Sequence, residues 1–487
     1  MNEEDASGTL EIERQGNLGT PSLGWLMVVA LVVATNGPLT TLVSWVPLGI
    51  AMGNGIGLPG SYVVVGVLYL LFAVGFTAMS EHIRNAGAFY AYVAHGLGRP
   101  LGTGTAFMAI FAYIACTLIC YAAIGFFLSL AVRQHIGLSV DWWLCALGTA
   151  AIVHYFAYRD IEFNGRVLLV LMAAEVLAIL CFDVAAGVSA AHATRLNSAP
   201  FMPGNVFVPG FGPSLVFVVS SYMGFETTAI YSEEVRNPGT AIPRATYAAI
   251  LLITLLYAGS SALLIEVYGV DDVLEQAKAS PGTLWFDMSN RIVGSVLSDI
   301  TGVLLITSLL AALISFNNAT VRYWFALGRD GILWRALAIV HPRQRTAYIA
   351  GWWQTATIVI AILSCAALHA DPLRSVAPCL GIIASVGIAT VQLLTSVAVI
   401  FFFRREGHRI SPWRSVVAPI LSAIGLSYLL YQMILHVELL VGFEAAWVKS
   451  LAWISPAMGV IGVSFAYYLK LKRPSVYNRL GRLLREA

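Results

Sequence analysis

The chain has 487 residues, of which 58% are hydrophobic and only 11% are charged, and its mean hydropathy is strongly positive. This balance excludes a soluble globular protein, and a net charge of only +2 without a basic stripe excludes nucleic acid as a partner. The composition predicts that most of the chain lies in a lipid bilayer, as roughly a dozen membrane-spanning helices.

The N-terminal segment, residues 1–24, is polar and of mixed charge. It lacks the basic start, short apolar core and cleavage site of a secretory signal. We therefore expect these residues to form a cytoplasmic tail and Trp25 to begin the first retained helix.

Continuous apolar runs follow, bounded by charged or Gly/Pro-rich segments. Their length predicts transmembrane helices, because the strands of a membrane β-barrel appear as short alternating segments. The expected fold class is all-α integral membrane, with about twelve spans. In chain order the predicted spans are 25–50, 61–79, 105–132, 142–157, 167–189, 213–231, 246–267, 296–325, 352–368, 376–403, 416–436 and 453–469.

Basic residues are sorted between the two sides of this topology. With the N-terminus inside, the outer segments keep only six of the 28 Lys and Arg residues. Cytoplasmic loops carry an excess of Lys and Arg, so the sorting predicts a multi-pass protein of the cytoplasmic membrane with both termini inside. The six outer residues are Arg133, Arg195, Lys278, Arg291, Arg374 and Lys449.

Two spans are interrupted, the first at residues 35–38 (TNGP) and the sixth at residues 224–226 (GFE). They lie five helices apart, and an odd separation gives corresponding elements opposite orientations, as in an inverted repeat. We expect a transporter-like core at 25–403 with repeats at 25–189 and 213–403. Peripheral helices 11 and 12 would occupy 404–470, and a basic cytoplasmic tail 471–487.

A helix broken at membrane depth exposes backbone groups that hydrocarbon cannot satisfy, so breaks are kept where they line a wet site. Half-helix N-termini attract a carboxylate, and freed carbonyls hold an ammonium group or a cation. A single break could instead be a kink without function, but two corresponding breaks favour a binding site. The candidate substrate-binding residues are Asn36, Gly37, Leu39, Thr40, Tyr222, Gly224, Phe225 and Glu226, with Ser315 from a polar cluster at 315–318 of span 8.

Glu175 is the most informative acidic residue, because it lies in the middle of span 5 with no basic residue nearby in sequence. Our hypothesis is that it takes part in proton or cation coupling; the alternative is a neutral glutamic acid hydrogen-bonded to another helix. Glu226 could hold a substrate ammonium or cap the half-helix beside it. We expect Glu233 and Glu234 to pair with loop arginines. Hydrogen bonding between helices is the alternative for Ser315.

Motifs for enzymes are missing from the sequence, which has no HExxH, GxxxxGK[ST] or GxSxG pattern. The histidines are scattered, and the six cysteines show no CxxC spacing and are expected to be reduced packing residues. We therefore predict no catalytic residue, no metal site and no cofactor. The absence of a nucleotide-binding loop argues against primary active transport.

Three segments resemble the amino acid-polyamine-organocation (APC) permease superfamily. Residues 222–226 (YMGFE), with 233–238 and 242–245, are similar to its sixth-helix signature, and residues 85–102 and 322–342 to its loops after spans 2 and 8. The resemblance implies a LeuT-like five-plus-five inverted repeat, broken helices 1 and 6, two peripheral helices and alternating access. Where many relatives carry a Gly-Ser-Gly-like break, this chain has Asn36, Gly37 and Pro38. Glu175 stands near a position where several proton-coupled relatives carry lysine.

The expected function is secondary active transport of an amino acid or a related amine, by symport coupled to H⁺ or by exchange. A polyamine or simple-amine permease is the alternative within this class, favoured by Glu175 and Glu226. A membrane sensor that does not transport is the alternative from another class. The sequence does not indicate an oligomeric state.

Overall fold

A computed structural model describes residues 23–159, 161–192, 197–280, 282–406, 410–438 and 446–481. These residues form helices joined by short turns. In chain order the helices are α1 (Trp25–Asn36), α2 (Val46–Met52), α3 (Leu58–Ser80), α4 (Phe89–Gly96), α5 (Arg99–Ile136), α6 (Trp142–Tyr158), α7 (Ile161–His192), α8 (Phe211–Tyr222), α9 (Pro238–Tyr268), α10 (Val273–Ala279), α11 (Leu284–Ile292), α12 (Ser295–Arg329), α13 (Tyr348–Ala367), α14 (Ala377–Glu406), α15 (Ala418–Leu435), α16 (Ala446–Leu451) and α17 (Ile454–Lys472).

The all-helical membrane fold is confirmed. Within the described residues, ten helical segments are long and apolar enough to cross a membrane. The other two predicted spans are also helical but shorter: α6 has 17 residues, and the sixth span is divided between α8 and a following 3₁₀ segment, Phe225–Glu233. The third predicted span, 105–132, is shorter than the helix that contains it. The helix α5 begins at Arg99, and Pro100 lies in its first turn, a position that proline favours.

The helices expose apolar side chains outward and keep their polar side chains inside, the reverse of a soluble protein. On α7, Val170, Leu177 and Val184 are exposed at intervals of seven residues. Glu175 lies on the opposite, buried stripe of the same helix. Since side chains seven apart share one helix face, α7 has a lipid-facing side and an inward side, and Glu175 belongs to the inward one.

The first span is broken at Gly37, which adopts a left-handed conformation with φ 54°. Its N–H bonds to the carbonyl of Ala34 and so ends α1. Pro38 then starts a new helical turn, which runs through a π-helical segment, Thr41–Trp45, into α2. Proline has no N–H group to continue α1 but is well suited to the first turn of a helix.

The sixth span is broken at Gly224, whose φ is 118°. A side chain is excluded there by the first span, since a Cβ on Gly224 would lie 2.7 Å from Thr35 Cγ2. Glycine is therefore required both for the backbone conformation and for the close approach of the two broken helices.

The two breaks lie inside a ring of long helices. The half-helix α1 packs against α7, α9, α12 and the segment Phe225–Glu233. At its start, Leu23 exchanges backbone hydrogen bonds with Glu234 and Arg236. The first half of the first span is thus held against the second half of the sixth, as one packed unit.

The C-terminal segment docks beneath the loop helix α4. The N–H of Gly481 donates to Tyr90 Oη (2.7 Å) and to Asp330 Oδ2 (3.0 Å), and Tyr90 Oη donates to the same carboxylate oxygen. Arg99 bonds to Asn478. Burial raises the pKa of the Asp330 carboxyl, and the neighbouring Arg329 and these hydrogen bonds offset part of that rise.

Some residues of the predicted segments lie outside the described residues. These include residues 1–22 of the N-terminal tail, residues 482–487 of the C-terminal tail, and Arg195, one of the six outer basic residues. The domain boundaries and the orientation in the membrane remain predictions.

We expect Gly224→Ala to lower the free energy of unfolding by about 2–3 kcal/mol, because a Cβ at this φ is strained and meets Thr35. The matched control is Gly259→Ala in α9, where an added Cβ meets nothing within 4 Å. The control should be neutral or stabilising by up to about 1 kcal/mol. The thermal unfolding midpoints of the purified variants in detergent measure the difference, and equal midpoints would contradict a steric need for glycine.

Candidate functional site

The two breaks are in direct contact. Gly224 lies against Thr35 and Asn36 at the end of α1, since a Cβ on Gly224 would be 3.4 Å from Asn36 Nδ2. The structure thus brings together Asn36, Gly37 and Gly224, which were predicted from two segments almost 190 residues apart in the sequence.

Glu175 reaches from α7 to the first break. Its Oε1 accepts a hydrogen bond from the N–H of Leu39 (2.5 Å) and another from Ser308 Oγ on α12 (2.7 Å). The side chain is 2% exposed, and no Lys or Arg of the described residues forms an ion pair with it. Both hydrogen bonds go to one oxygen, so Oε2 accepts none from the described residues. A free carboxylate oxygen in a buried site can take a proton or a cation.

Glu226 caps the second break, which was one of the two alternatives for this residue. Its Oε2 accepts from the N–H of Gly224 (3.0 Å), and its Oε1 from Tyr113 Oη on α5 (3.2 Å). The side chain is fully buried, and within the described part of the chain it too lacks a Lys or Arg ion-pair partner. Each half-helix that follows a break therefore has a glutamate at its N-terminal end, where the helix dipole favours negative charge.

The side-chain amide of Asn36 has a hydrogen-bond partner for its nitrogen but, among the described residues, none for its oxygen. Its Nδ2 donates to the carbonyl of Val32 (2.9 Å), which fixes the orientation of the amide. Its Oδ1 is buried and has no hydrogen-bond partner among the described residues. An unsatisfied buried acceptor is unfavourable by about 1–3 kcal/mol, so Oδ1 is a position where a ligand donor would be stabilising.

Other predicted site residues serve contacts between helices. The Ser315 hydroxyl donates to the carbonyl of Leu31 (2.7 Å) and contacts Thr35, while the hydroxyls of Thr40 and Ser308 lie 3.2 Å apart. These contacts join α12 to both halves of the first span, the alternative considered for Ser315.

Two predicted residues point into aromatic packing. The Tyr222 hydroxyl is within hydrogen-bonding distance of the Tyr62 carbonyl and the Thr254 hydroxyl. The ring of Phe225 packs on Tyr69, with ring centres 4.8 Å apart, and on Phe72. Tyr222 and Phe225 therefore have protein partners in this conformation.

Sequence reasoning missed Ser308 and Tyr113, which contact Glu175 and Glu226. Each lies in a span that carries several hydroxyl side chains, such as Thr307 and Ser315 beside Ser308 and Thr117 beside Tyr113. A polar residue at mid-span was a signal that something is bound, but the sequence could not show which of several carboxylates each one meets.

Two ion pairs close the end of the bundle that was predicted to face the cytoplasm. Glu234 pairs with Arg322 (2.7 Å) and Glu233 with Arg329 (3.0 Å). The expected pairing with arginines of the inner segment after span 8 is confirmed, and the structure places both arginines on the last turns of α12, which extends beyond the predicted span.

A small cleft opens beside the Glu234–Arg322 pair. Asn318 of α12 lines it, and Ser315 is less than one helical turn away on the same helix. The cleft thus ends close to the contact between α12 and the first break. Its polar lining residues are Arg159, Asn164, Glu234, Asn318, Arg322, Arg345 and Thr346.

No group of three or more His, Cys, Asp or Glu side chains in the described residues could hold a metal ion. The six cysteines are all free thiols. The polar side chains at the breaks carry carboxylate, amide and hydroxyl groups.

Comparison with known proteins gives a family match over most of the chain. A family model described as amino acid permease matches residues 23–463. The branched-chain amino acid permease BcaP of Bacillus subtilis is 24% identical over 405 residues, 78% of this chain and 81% of that protein.

Two further relatives are named for other substrates. The methylthioribose transporter of Bacillus subtilis is 24% identical and covers 88% of this chain and 89% of its own length. The low-affinity putrescine importer PlaP of Escherichia coli is 22% identical and covers 60% of this chain and 64% of its own length.

We expect Arg322→Met to lower the free energy of unfolding by about 3–5 kcal/mol, because it leaves the buried Glu234 carboxylate without its partner. Arg322→Met combined with Glu234→Leu should recover most of that loss, since neither charge then remains buried. The control is Arg166→Ala, which breaks the exposed pair with Glu162 and should change stability by less than about 1 kcal/mol. Thermal unfolding midpoints in detergent test this order of stability. A double variant no more stable than Arg322→Met would contradict it.

Proposed function

The chain belongs to the amino acid permease family, and from that premise we propose that it moves an amino acid or a closely related amine across the cytoplasmic membrane by alternating access. We infer a secondary active mechanism, driven by protons in symport or by exchange of one substrate for another. The membership establishes a multi-pass membrane transporter, not an enzyme.

The observation that carries the proposal is the contact between the two broken helices. Thr35 and Asn36 lie against Gly224, and the backbone of each half-helix is capped by a buried glutamate. Broken helices are stable in a membrane where protein or water satisfies the freed backbone groups, and such places bind substrates and ions. Asn36 Oδ1 and Glu175 Oε2 are the acceptors left open there.

Alternating access needs a gate on each side of this site. The Glu234–Arg322 and Glu233–Arg329 pairs hold α12 to the end of the sixth span on the predicted cytoplasmic side, and Leu23 bonds to the same segment. Opening that side requires these contacts to separate together. The cleft that includes Asn318 is the proposed start of the inner pathway.

Glu175 is the proposed coupling group. A proton on Oε2 would remove the charge that holds the Leu39 N–H and Ser308, and so change the contact among α7, the first span and α12. Protonation would thereby be linked to the conformation of the break.

An amine or polyamine permease is the second candidate. Two buried carboxylates without a basic ion-pair partner among the described residues favour a cationic substrate. The putrescine importer among the relatives is in keeping with this alternative, and the branched-chain amino acid permease with the first.

The test is uptake of labelled amino acids and amines into proteoliposomes, first with an inward proton gradient and then with an inward sodium gradient. Accumulation driven by protons supports symport, and flux only after preloading supports exchange. Specific binding without any flux would support a sensor and contradict the proposal.

We expect Glu175→Gln to abolish accumulation driven by the proton gradient while exchange of preloaded substrate continues. Glutamine keeps an oxygen that can accept from the Leu39 N–H but cannot be charged or protonated in the same range. Asp183→Asn is the matched control, because Asp183 lies on the same helix and bonds to Ser260, away from both breaks. Wild-type accumulation in Glu175→Gln would show that Glu175 has no role in coupling.

A further inference from the structure

The two breaks offer few donors to a substrate carboxylate. Proteins hold a carboxylate with backbone N–H groups at a helix N-terminus or with Arg and Lys side chains. At the first break Pro38 has no N–H, and that of Leu39 donates to Glu175. At the second break the N–H of Gly224 donates to Glu226. The protein's own carboxylates thus occupy one backbone amide at each break, which leaves fewer donors for a substrate carboxylate.

Basic side chains are likewise engaged elsewhere. Arg322 and Arg329, the arginines of α12 nearest to Ser315, are paired with Glu234 and Glu233. A substrate carboxylate at the breaks would meet the carboxyl groups of Glu175 and Glu226, which repel it whenever they are ionised and which have no basic ion-pair partner among the described residues. Like charges brought together in a low dielectric repel strongly, so this arrangement disfavours an anion.

The groups that remain open are acceptors. Asn36 Oδ1 is buried without a donor at the junction of the two breaks, and Glu175 Oε2 receives no hydrogen bond. An ammonium group has three donors and no acceptor, which matches such a site. The nearby Glu226 carboxylate adds a negative potential, since its own donors, Tyr113 and the Gly224 N–H, are neutral.

We propose that the substrate is an organic amine that presents an ammonium group and has no free carboxylate. Its ammonium donates to Asn36 Oδ1 and lies in the field of Glu226, while Glu175 occupies the place of a substrate carboxylate at Leu39. The inference rests on the proposed transport function and names the substrate class of the same site.

Matched pairs of compounds test it. Leucine is compared with isopentylamine, and ornithine with putrescine, so that each pair differs by the carboxylate alone. Binding is measured as thermal stabilisation of the purified full-length protein in detergent, and transport as labelled uptake into proteoliposomes. We expect at least one amine to bind about tenfold or more tightly than its parent amino acid, the scale of one charge-assisted hydrogen bond.

The outcomes separate the two proposals. An amine that binds more tightly and is also taken up supports both. An amine that binds without flux supports this inference and overturns the transport function. An amino acid that binds more tightly than its amine overturns the inference, whether or not it is transported, and so does the absence of binding by all four compounds.

Variants of Asn36 and Glu175 test the roles assigned to these two residues. Asn36→Leu keeps the side-chain shape but removes the acceptor, and we expect amine binding to weaken about tenfold. Glu175→Ala frees the Leu39 N–H, and the preference should shift at least about tenfold toward the amino acid, whereas Glu175→Gln keeps an acceptor there and should preserve the preference for the amine. Unchanged amine binding in Asn36→Leu overturns the assigned contact. If Glu175→Ala does not fold, the two compound pairs measured on the wild-type protein, together with amine binding by Asn36→Leu, decide whether the inference holds.

Discussion

The arrangement of this protein depends on one requirement, that backbone N–H groups freed at a helix break inside a membrane must find acceptors. Leu39 and Gly224 meet it through the carboxylates of Glu175 and Glu226. An unsatisfied amide in hydrocarbon is unfavourable by several kcal/mol, so these two side chains stabilise the breaks. This explains why Glu175 lies on the buried stripe of a helix whose other face is apolar.

Buried glutamates have charged partners at one end of the bundle and neutral partners in its middle. Glu233 and Glu234 are each neutralised by an arginine of α12, and such pairs fix the position of two elements. Glu175 and Glu226 have only neutral donors among the described residues. The carboxylates at this end of the bundle are therefore paired with charged groups, whereas those in the middle are the ones that a proton or a cation would stabilise.

The membrane fold and both breaks could be predicted from the sequence, because apolar length and a Gly or Pro in mid-span are local signals. Gly37 and Gly224 are where the backbone turns left-handed. The partners across the bundle could not be predicted: Ser308 meets Glu175 over 133 residues, and Tyr113 meets Glu226 over 113. Such contacts depend on how helices are rotated against each other.

The two glutamates also connect the broken helices to the helices around them. Glu175 joins the first span to α7 and, through Ser308, to α12, while Glu226 joins the sixth span to α5 through Tyr113. Because the half-helices touch at Gly224, a change of charge at one glutamate acts on a contact that both breaks share. In the proposed mechanism, ligand and coupling proton need not touch each other for one to affect the other, since each would alter the same packed junction. Coupling of this kind is reciprocal, so an amine bound near Asn36 would change the proton affinity of Glu175 by the same factor by which the proton changes amine binding.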